Sequence, residues 1–371
     1  MSIYCRLQIV DIITNPIKKE KKMFALLRQT KRMNRILIAM ALILAVTMAP
    51  ITVTAAMTLK IGCLESPDGP NTLGWQTFKQ YVESASNGNI TADIYPSSQL
   101  GDSEKLFEGL KIGIHQIAQG DESITGAYAP MMVWFMPYLF PDEQVMKKFF
   151  ESTVFEEINN KMAKDLGVRV LAASPYGFYN FINKTKPIKS LADMKGLKLR
   201  TLPNSQLTIK TWSALGASAT PVPWAEIYTS IKTGVIDGLG HTLTIMVDQK
   251  YYEVAKYVTL DMSMGCSNLY LVNEKWYQSL SSADKSVIKR GAEMGAAAEF
   301  GIATYRNRVL SINTLKENGV EVIALSAEEK TKFRKTAHEA VIPWIKEQSG
   351  AELVDKVLKA IDNIDKDLNK K

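Results

Sequence analysis

"LFEGLKIGIHQI" (106–117) and "IYTSIKTGVIDG" (227–238) align without a gap. Leu106, Phe107, Leu110, Lys111, Gly113 and Ile114 stand opposite Ile227, Tyr228, Ile231, Lys232, Gly234 and Val235. In each copy apolar residues recur at helical spacing, a glycine follows the last turn, and a short apolar run comes next. A glycine just past a helix takes up the left-handed conformation that other residues reach only with strain. Both stretches therefore read as helix, glycine stop and strand. Each also follows a proline-bearing loop, with Pro96 before the first and Pro221 and Pro223 before the second. Amphipathic helices can look alike by chance. Taken as a repeat, the pair predicts two similar α/β lobes with equivalents 121 residues apart.

The flanking sequence extends this pattern. "LKIG" (59–62) reads as a strand, and Leu73–Ser86 as a helix carrying Trp75, Phe78 and Val82 on one face. "SNGN" (86–89) is a turn and "ITADIYP" (90–96) alternates like a strand. Strands alternating with helices define an α/β architecture. The last third is helical. Ser281 with Asp284 three residues on opens a helix that runs to Glu317, where "NG" (318–319) stops it. At 1.5 Å per residue it reaches roughly 55 Å, more than one lobe of this size needs, so it is expected to span both. "SAEE" (326–329) caps a further helix that Pro343 is expected to bend. The charged, amphipathic tail 351–371 reads as a solvated surface helix.

The formal net charge of +7 suggests a basic partner surface until its location is considered. Residues 1–56 hold nine Lys/Arg and two Asp/Glu, so residues 57–371 hold 36 of each sign. A neutral body removes the main support for nucleic-acid binding. The basic segment reads as an export signal: Lys31, Arg32 and Arg35, then the uncharged "ILIAMALILAVTMA" (36–49), then small residues in "VTAA" (53–56). A permanent anchor is the alternative, but about 14 apolar residues fall short of the ~20 that span a bilayer. Met33 is an alternative start, and 1–56 is set aside as leader. Cys63 and Cys266 could pair in an exported protein, and their spacing does not decide it.

His115, His241 and His338 lie far apart, and no His/Cys/carboxylate cluster has zinc spacing. The chain has no P-loop, no G-x-S-x-G elbow and no G-x-G-x-x-G after the first strand. An exported, neutral, two-lobed α/β chain without catalytic signatures suits ligand capture between lobes, with no cofactor and no metal.

Five stretches in order carry a resemblance: "YPSSQLGDSEKLFEGLKIG" (95–113), "SLADMKGLKLRTLPNS" (190–205), "LGASATPVPWAEIYTSIKTGVIDG" (215–238), "QKYYEVAKYV" (249–258) and "LYLVNEKWY" (269–277). Together they resemble the solute-binding subunits of TRAP transporters, the tripartite ATP-independent periplasmic systems. The resemblance implies a periplasmic two-lobed α/β binding protein with a ligand cleft between lobes and a long helix spanning both. Lobe I would comprise 57–178 with 267–306, and lobe II 179–266 with 307–371. The chain would cross between them near 177–180, near 266 and within the long helix. The partners implied are a small carboxylate and the small and large integral membrane subunits of an ion-gradient-driven permease, the binding protein being a monomer. A receptor that presents ligand to a sensor kinase, or an exported enzyme acting on a small acid, are the alternatives.

The resemblance also implies site residues. The arginine after the G-L-K-x motif, here Arg200, usually grips a substrate carboxylate, for which a planar fork of donors is well shaped. Taken alone, "MKGLKLRTLPNS" (194–205) would put Arg200 on the same solvated face as Lys198. Trp224 falls where an aromatic often lines the pocket, and Asp121 or Glu122 near a position able to contact ligand. A second family arginine falls at Tyr179 or Asn180, neither cationic, and His241 replaces a common asparagine. A neutral His can donate or accept, and a protonated one could help hold an anion. These departures count against sialic acid. They point to a monocarboxylate or 2-oxo acid among Tyr176, Phe178, Tyr179 and Trp224.

Overall fold

The computed structural model describes residues 16–47 and 56–370. The chain divides into two units, 1–55 and 56–371. The first contains helix α1 (Pro16–Thr47). It overlaps the apolar core of the expected signal, whereas residues 48–55, with most of the expected cleavage site, lie outside the described residues. Among the described residues no helix is long and apolar enough to cross a membrane.

The second unit runs β1 (Met57–Gly62), α2 (Pro70–Ala85), β2 (Ile90–Tyr95), α3 (Ser103–Lys111), β3 (Ile117–Gly120), α4 (Glu143–Phe150), α5 (Thr153–Leu166), β4 (Val168–Phe178) and β5 (Asn180–Asn183). It continues with β6 (Lys198–Thr201), α6 (Gln206–Ala214), β7 (Ser218–Pro221), α7 (Ile227–Thr233), β8 (Gly238–His241), α8 (Leu243–Asp248), β9 (Tyr257–Leu260) and β10 (Gly265–Asn273). The helical third holds α9 (Glu274–Ser279), α10 (Ser282–Tyr305), a π-helical turn (Arg306–Leu310) and α11 (Ser311–Glu317), then β11 (Glu321–Ala324), α12 (Ala327–Ser349) and α13 (Ala351–Asn369).

These strands form two sheets, ordered β2-β1-β3-β10-β4 and β11-β9-β5-β8-β6-β7. The repeated stretches occupy equivalent places in them. β3 lies parallel to β1 and antiparallel to β10. β8 lies parallel to β6 and antiparallel to β5. Gly113 and Gly234 both adopt positive φ, 80° and 85°, which turns each helix into its strand. Leu106 and Leu110 in one copy, and Ile227 and Ile231 in the other, are fully buried. The chain passes between sheets at 178–180, at 260–265 and along the helical stretch from α10 to α11.

That stretch begins as expected: Ser281 caps α10 by accepting the Asp284 amide. It is not a uniform α-helix, because the ladder widens to i→i+5 at Arg306–Leu310, where the Ser311 amide reaches the Arg306 carbonyl. α12 carries Pro343 in its interior without ending there. The tail departs from expectation. α13 is not solvated all round: Val354, Val357 and Ile361 are buried against α4 and the 3-10 turn Ala129–Trp134. Its apolar stripe recurs every three to four residues, the spacing of a packed helix face.

Candidate ligand-binding cleft

Parallel strands leave their carboxyl ends facing a common crevice, and ligands in α/β proteins collect there. Here the ends of β1, β3, β6 and β8 from both sheets, with residues of β4 and β10, enclose a cavity of about 110 Å³. Glu65 follows β1, Asp121 and Glu122 follow β3, Arg200 sits near the end of β6 and His241 ends β8. Tyr176, Tyr179, Trp224, Gln119, Ser267 and Asn268 complete most of the wall.

Arg200 is only 6% exposed, although Lys198 two residues earlier is exposed. Its Nε donates to the Val222 carbonyl at 3.0 Å, and its guanidinium lies 5.9 Å from the Trp224 ring. No carboxylate pairs with it among the described residues. Burial pulls its pKa below the ordinary arginine value, with Tyr179, Tyr251, Glu122 and Asp121 opposing. The group stays cationic, since arginine does not deprotonate in proteins. The result is a buried positive charge that lines the cavity without a paired carboxylate among the described residues.

His241 is neutral. Burial first, and Arg200 second, pull its pKa down to about 3. Its Nδ1 accepts the Thr242 amide at 2.8 Å, so the remaining proton is on Nε2, a donor. The ring stacks on Tyr179 at 4.9 Å and lies 5.4 Å from Trp224. Of the two forms considered from sequence the neutral one fits: burial and the neighbouring Arg200 guanidinium both oppose an imidazolium here.

The acids differ. Asp121 is committed to its own loop, accepting from the Ser123 amide at 2.9 Å and the Ser103 hydroxyl at 2.7 Å. Glu122 is 3% exposed and accepts the Ser205 hydroxyl, while its Oε2 has no partner among the described residues. Loss of solvent pushes its carboxyl up to about 7, the Ser205 bond and Arg200 pulling the other way. Ser205 is the N-cap of α6 and belongs to the other sheet's side, so this bond reaches across the cleft. Glu65 is pushed up to about 8, by desolvation and then by Glu299. Glu299, buried behind the cavity wall, accepts from Asn71, Asn268 and Tyr270 and is pushed up to about 7 by desolvation.

The structure thus brings Arg200, Trp224, His241, Tyr179, Asp121 and Glu122 to one cavity. Phe178 and Asn180 are not among its lining residues, and those two expectations are corrected. They sit with Glu143, Met262 and Asn307 around a separate surface pocket. Asn180 instead donates to the Phe178 carbonyl and accepts the Met262 amide, bracing the crossing between sheets. Cys63 and Cys266 are both free thiols. The sequence reading missed Glu65, Gln119, Ser267 and Asn268. The available signal was positional, since Glu65 and Gln119 sit at the ends of strands that head the cleft.

A two-sheet α/β fold closing on one small, polar-ended cavity defines a solute-binding protein. The chain belongs to the bacterial extracellular solute-binding proteins of family 7, whose model matches residues 61–347, and so to the binding subunits of TRAP transporters. It is 30% identical over 262 residues to the ectoine-binding periplasmic protein TeaA of Halomonas elongata, covering 70% of this chain and 73% of that one. It is 28% identical over 297 residues to the sialic acid-binding periplasmic protein SiaP of Vibrio cholerae, covering 79% and 89%. The sugar acid binding protein DctPAm of Advenella mimigardefordensis, solved with galactonate, superposes with a TM-score of 0.78 at 27% identity, covering 83% and 98%.

Proposed function

We propose that this chain captures a small organic acid outside the cytoplasm and hands it to the small and large membrane subunits of an ion-gradient-driven permease. It acts as a monomer after export on its N-terminal signal, without cofactor and without converting the ligand. The lobes, 57–178 with 267–306 and 179–266 with 307–371, hinge shut on the acid. The single observation that carries this reading is Arg200, a buried and unpaired guanidinium in the cavity. A buried charge with no partner is costly, and a ligand carboxylate supplies the missing half. The pair strengthens as closure removes water.

The rest of the wall narrows the class. Glu122 Oε2 and Ser267 Oγ are buried polar atoms without a partner among the described residues, and Nε2 of His241 is a donor. Unsatisfied groups of this kind call for hydrogen-bonding atoms on the ligand. A hydroxylated carboxylate answers them, whereas a plain alkanoate does not. Arg200 is the one Lys or Arg among the lining residues, so a second carboxylate would enter without a counter-charge, and the cavity disfavours a dicarboxylate. A galactonate-bound relative fits this chemistry.

A thermal-shift screen of the purified protein tests the reading, using hydroxy acids, alkanoates, dicarboxylates, amino acids and neutral sugars. A ligand at a hundred times its Kd adds about 2.7 kcal/mol of stability. Hydroxy acids should shift the melt most. A shift given by neutral sugars alone, with every acid silent, overturns the proposal.

A further inference from the structure

A second pocket, of about 340 Å³, opens where the loop before α4 and the segment between β9 and β10 meet α12. It shares no lining residue with the cleft cavity. Tyr138 and Met262 line it, and both hold left-handed backbone, at φ of 51° and 54°. A side chain with a Cβ adopts that conformation only under strain, and such strain collects at functional sites. Here it is held in place: the Tyr138 amide donates to the Ser263 carbonyl at 2.7 Å, and Pro137 pairs with Met264. Asp261 also lines the pocket, although it is 1% exposed. Its Oδ2 accepts the Tyr138 hydroxyl at 3.1 Å, while its Oδ1 has no hydrogen-bond partner among the described residues. A buried polar atom of this kind calls for a partner from outside the chain. Burial pushes the carboxyl up to about 7, with Ser263 and Tyr138 first among the groups pulling the other way. A ligand hydroxyl suits both forms, since it donates to a carboxylate and accepts from an acid.

α12 supplies the opposite charge. Lys330 and Arg334 stand one turn apart on it, and with Thr331 they line the pocket. His338, one turn further on, bonds to the Pro137 carbonyl at 2.7 Å and ties the same helix face to the loop that carries Tyr138. Lys332, two residues from Lys330, is paired with Glu328 and Glu329, whereas Lys330 and Arg334 have no acid partner among the described residues. Asp261 is the one acid in the lining, so the pocket is electropositive and attracts an anion.

We propose that this pocket is a second ligand site, for a phosphate monoester that carries a hydroxyl group, with the phosphate on Lys330, Thr331 and Arg334 and the hydroxyl on Oδ1 of Asp261. Two unpaired cations match the nearly double charge of a phosphate monoester, and the Thr331 hydroxyl adds a donor for its oxygens. A carboxylate would neutralise only one of the two. The cleft, with its single arginine, takes a monocarboxylate, so the two sites differ in chemistry and this inference stands apart from the reading above.

Titration of the purified protein with glycerol 3-phosphate, ethyl phosphate and inorganic sulfate at one ionic strength tests it, followed by calorimetry and by backbone amide NMR. Glycerol 3-phosphate should bind about fivefold more tightly than ethyl phosphate, the effect of one hydrogen bond to Asp261. It should move the amide signals of Met262, Lys330 and Thr331 and leave those of Glu122 and His241 in place. Lys330→Gln and Arg334→Gln change surface side chains and leave the fold intact. Each should weaken glycerol 3-phosphate about tenfold or more, the loss of one charge-assisted hydrogen bond. Asp261→Leu, of similar shape, should abolish the preference over ethyl phosphate. Sulfate binding as tightly as glycerol 3-phosphate, signals moving at the cleft instead, or full affinity in both Lys330→Gln and Arg334→Gln overturns the proposal.

Discussion

Replacing Arg200 with methionine separates what the guanidinium does for the ligand from what it costs the fold. The side chain is 6% exposed and makes one protein hydrogen bond, from Nε to the Val222 carbonyl. A charge-assisted hydrogen bond contributes about 1.5–3 kcal/mol. A carboxylate held by the fork through two of them therefore loses 3 kcal/mol or more on substitution. At 1.4 kcal/mol per factor of ten, Kd rises by about a hundredfold at least. The ligand-free protein responds with the opposite sign. An unpaired buried charge is replaced by an apolar chain of similar length, at the cost of one bond to a carbonyl. Relief of the desolvation penalty should exceed that loss, stabilising the ligand-free state by on the order of 1 kcal/mol. Isothermal titration with the best acid from the screen measures the first effect, and thermal melting without ligand the second. Arg200→Lys should rescue little, because an ammonium presents no planar fork. Affinity unchanged in Arg200→Met would refute the reasoning. A ligand-free melt lowered by several degrees would refute the claim that the charge is unpaired.

Two other outcomes follow from the buried acids. Glu65, Glu122 and Glu299 have folded pKa values of about 8, 7 and 7 against an ordinary 4.5. Between those limits the folded chain holds more protons than the unfolded one, so these groups make stability fall as pH rises from about 5 to 8. Melts across that range should show the decline in the ligand-free protein, and Glu299→Gln should flatten it; an unchanged slope contradicts the assignment. Ser205→Ala removes the hydroxyl that reaches across the cleft to Glu122, and should weaken ligand binding about tenfold by favouring the open form. Titration checks it, and wild-type affinity would count against Ser205 as a tie between lobes.

What the sequence disclosed depended on whether local pattern or tertiary packing set the feature. The two-sheet architecture was legible because the repeated helix–glycine–strand units carry their own stop signal, Gly113 and Gly234, and both signals were used. The start of the long helix was equally local, written in Ser281 and Asp284. The π-turn was not, because Arg306-Asn307-Arg308 reads as an ordinary polar helix face until Tyr176 and Thr244 are brought to it from 131 and 63 residues away. The burial of α13 was missed because an amphipathic stripe does not say what covers it. Arg200 illustrates the limit at the site itself. Strand alternation alone pairs it with exposed Lys198, and only the closing of the second sheet's crevice buries it. Phe178 and Asn180 lie off the cavity wall because Gly177, at a φ of 111°, breaks the regular alternation, so that Tyr176 and Tyr179, three residues apart, both line it. His241's charge state was unreadable, since it follows from burial between Tyr179 and Trp224 beside a guanidinium.

A crystal structure of the protein with its tightest-binding acid tests the central claim most directly. The account predicts the ligand carboxylate within about 3 Å of both terminal nitrogens of Arg200, with a ligand hydroxyl at Glu122. A carboxylate directed away from Arg200, or an acid bound outside the cavity between the two sheets, would contradict it.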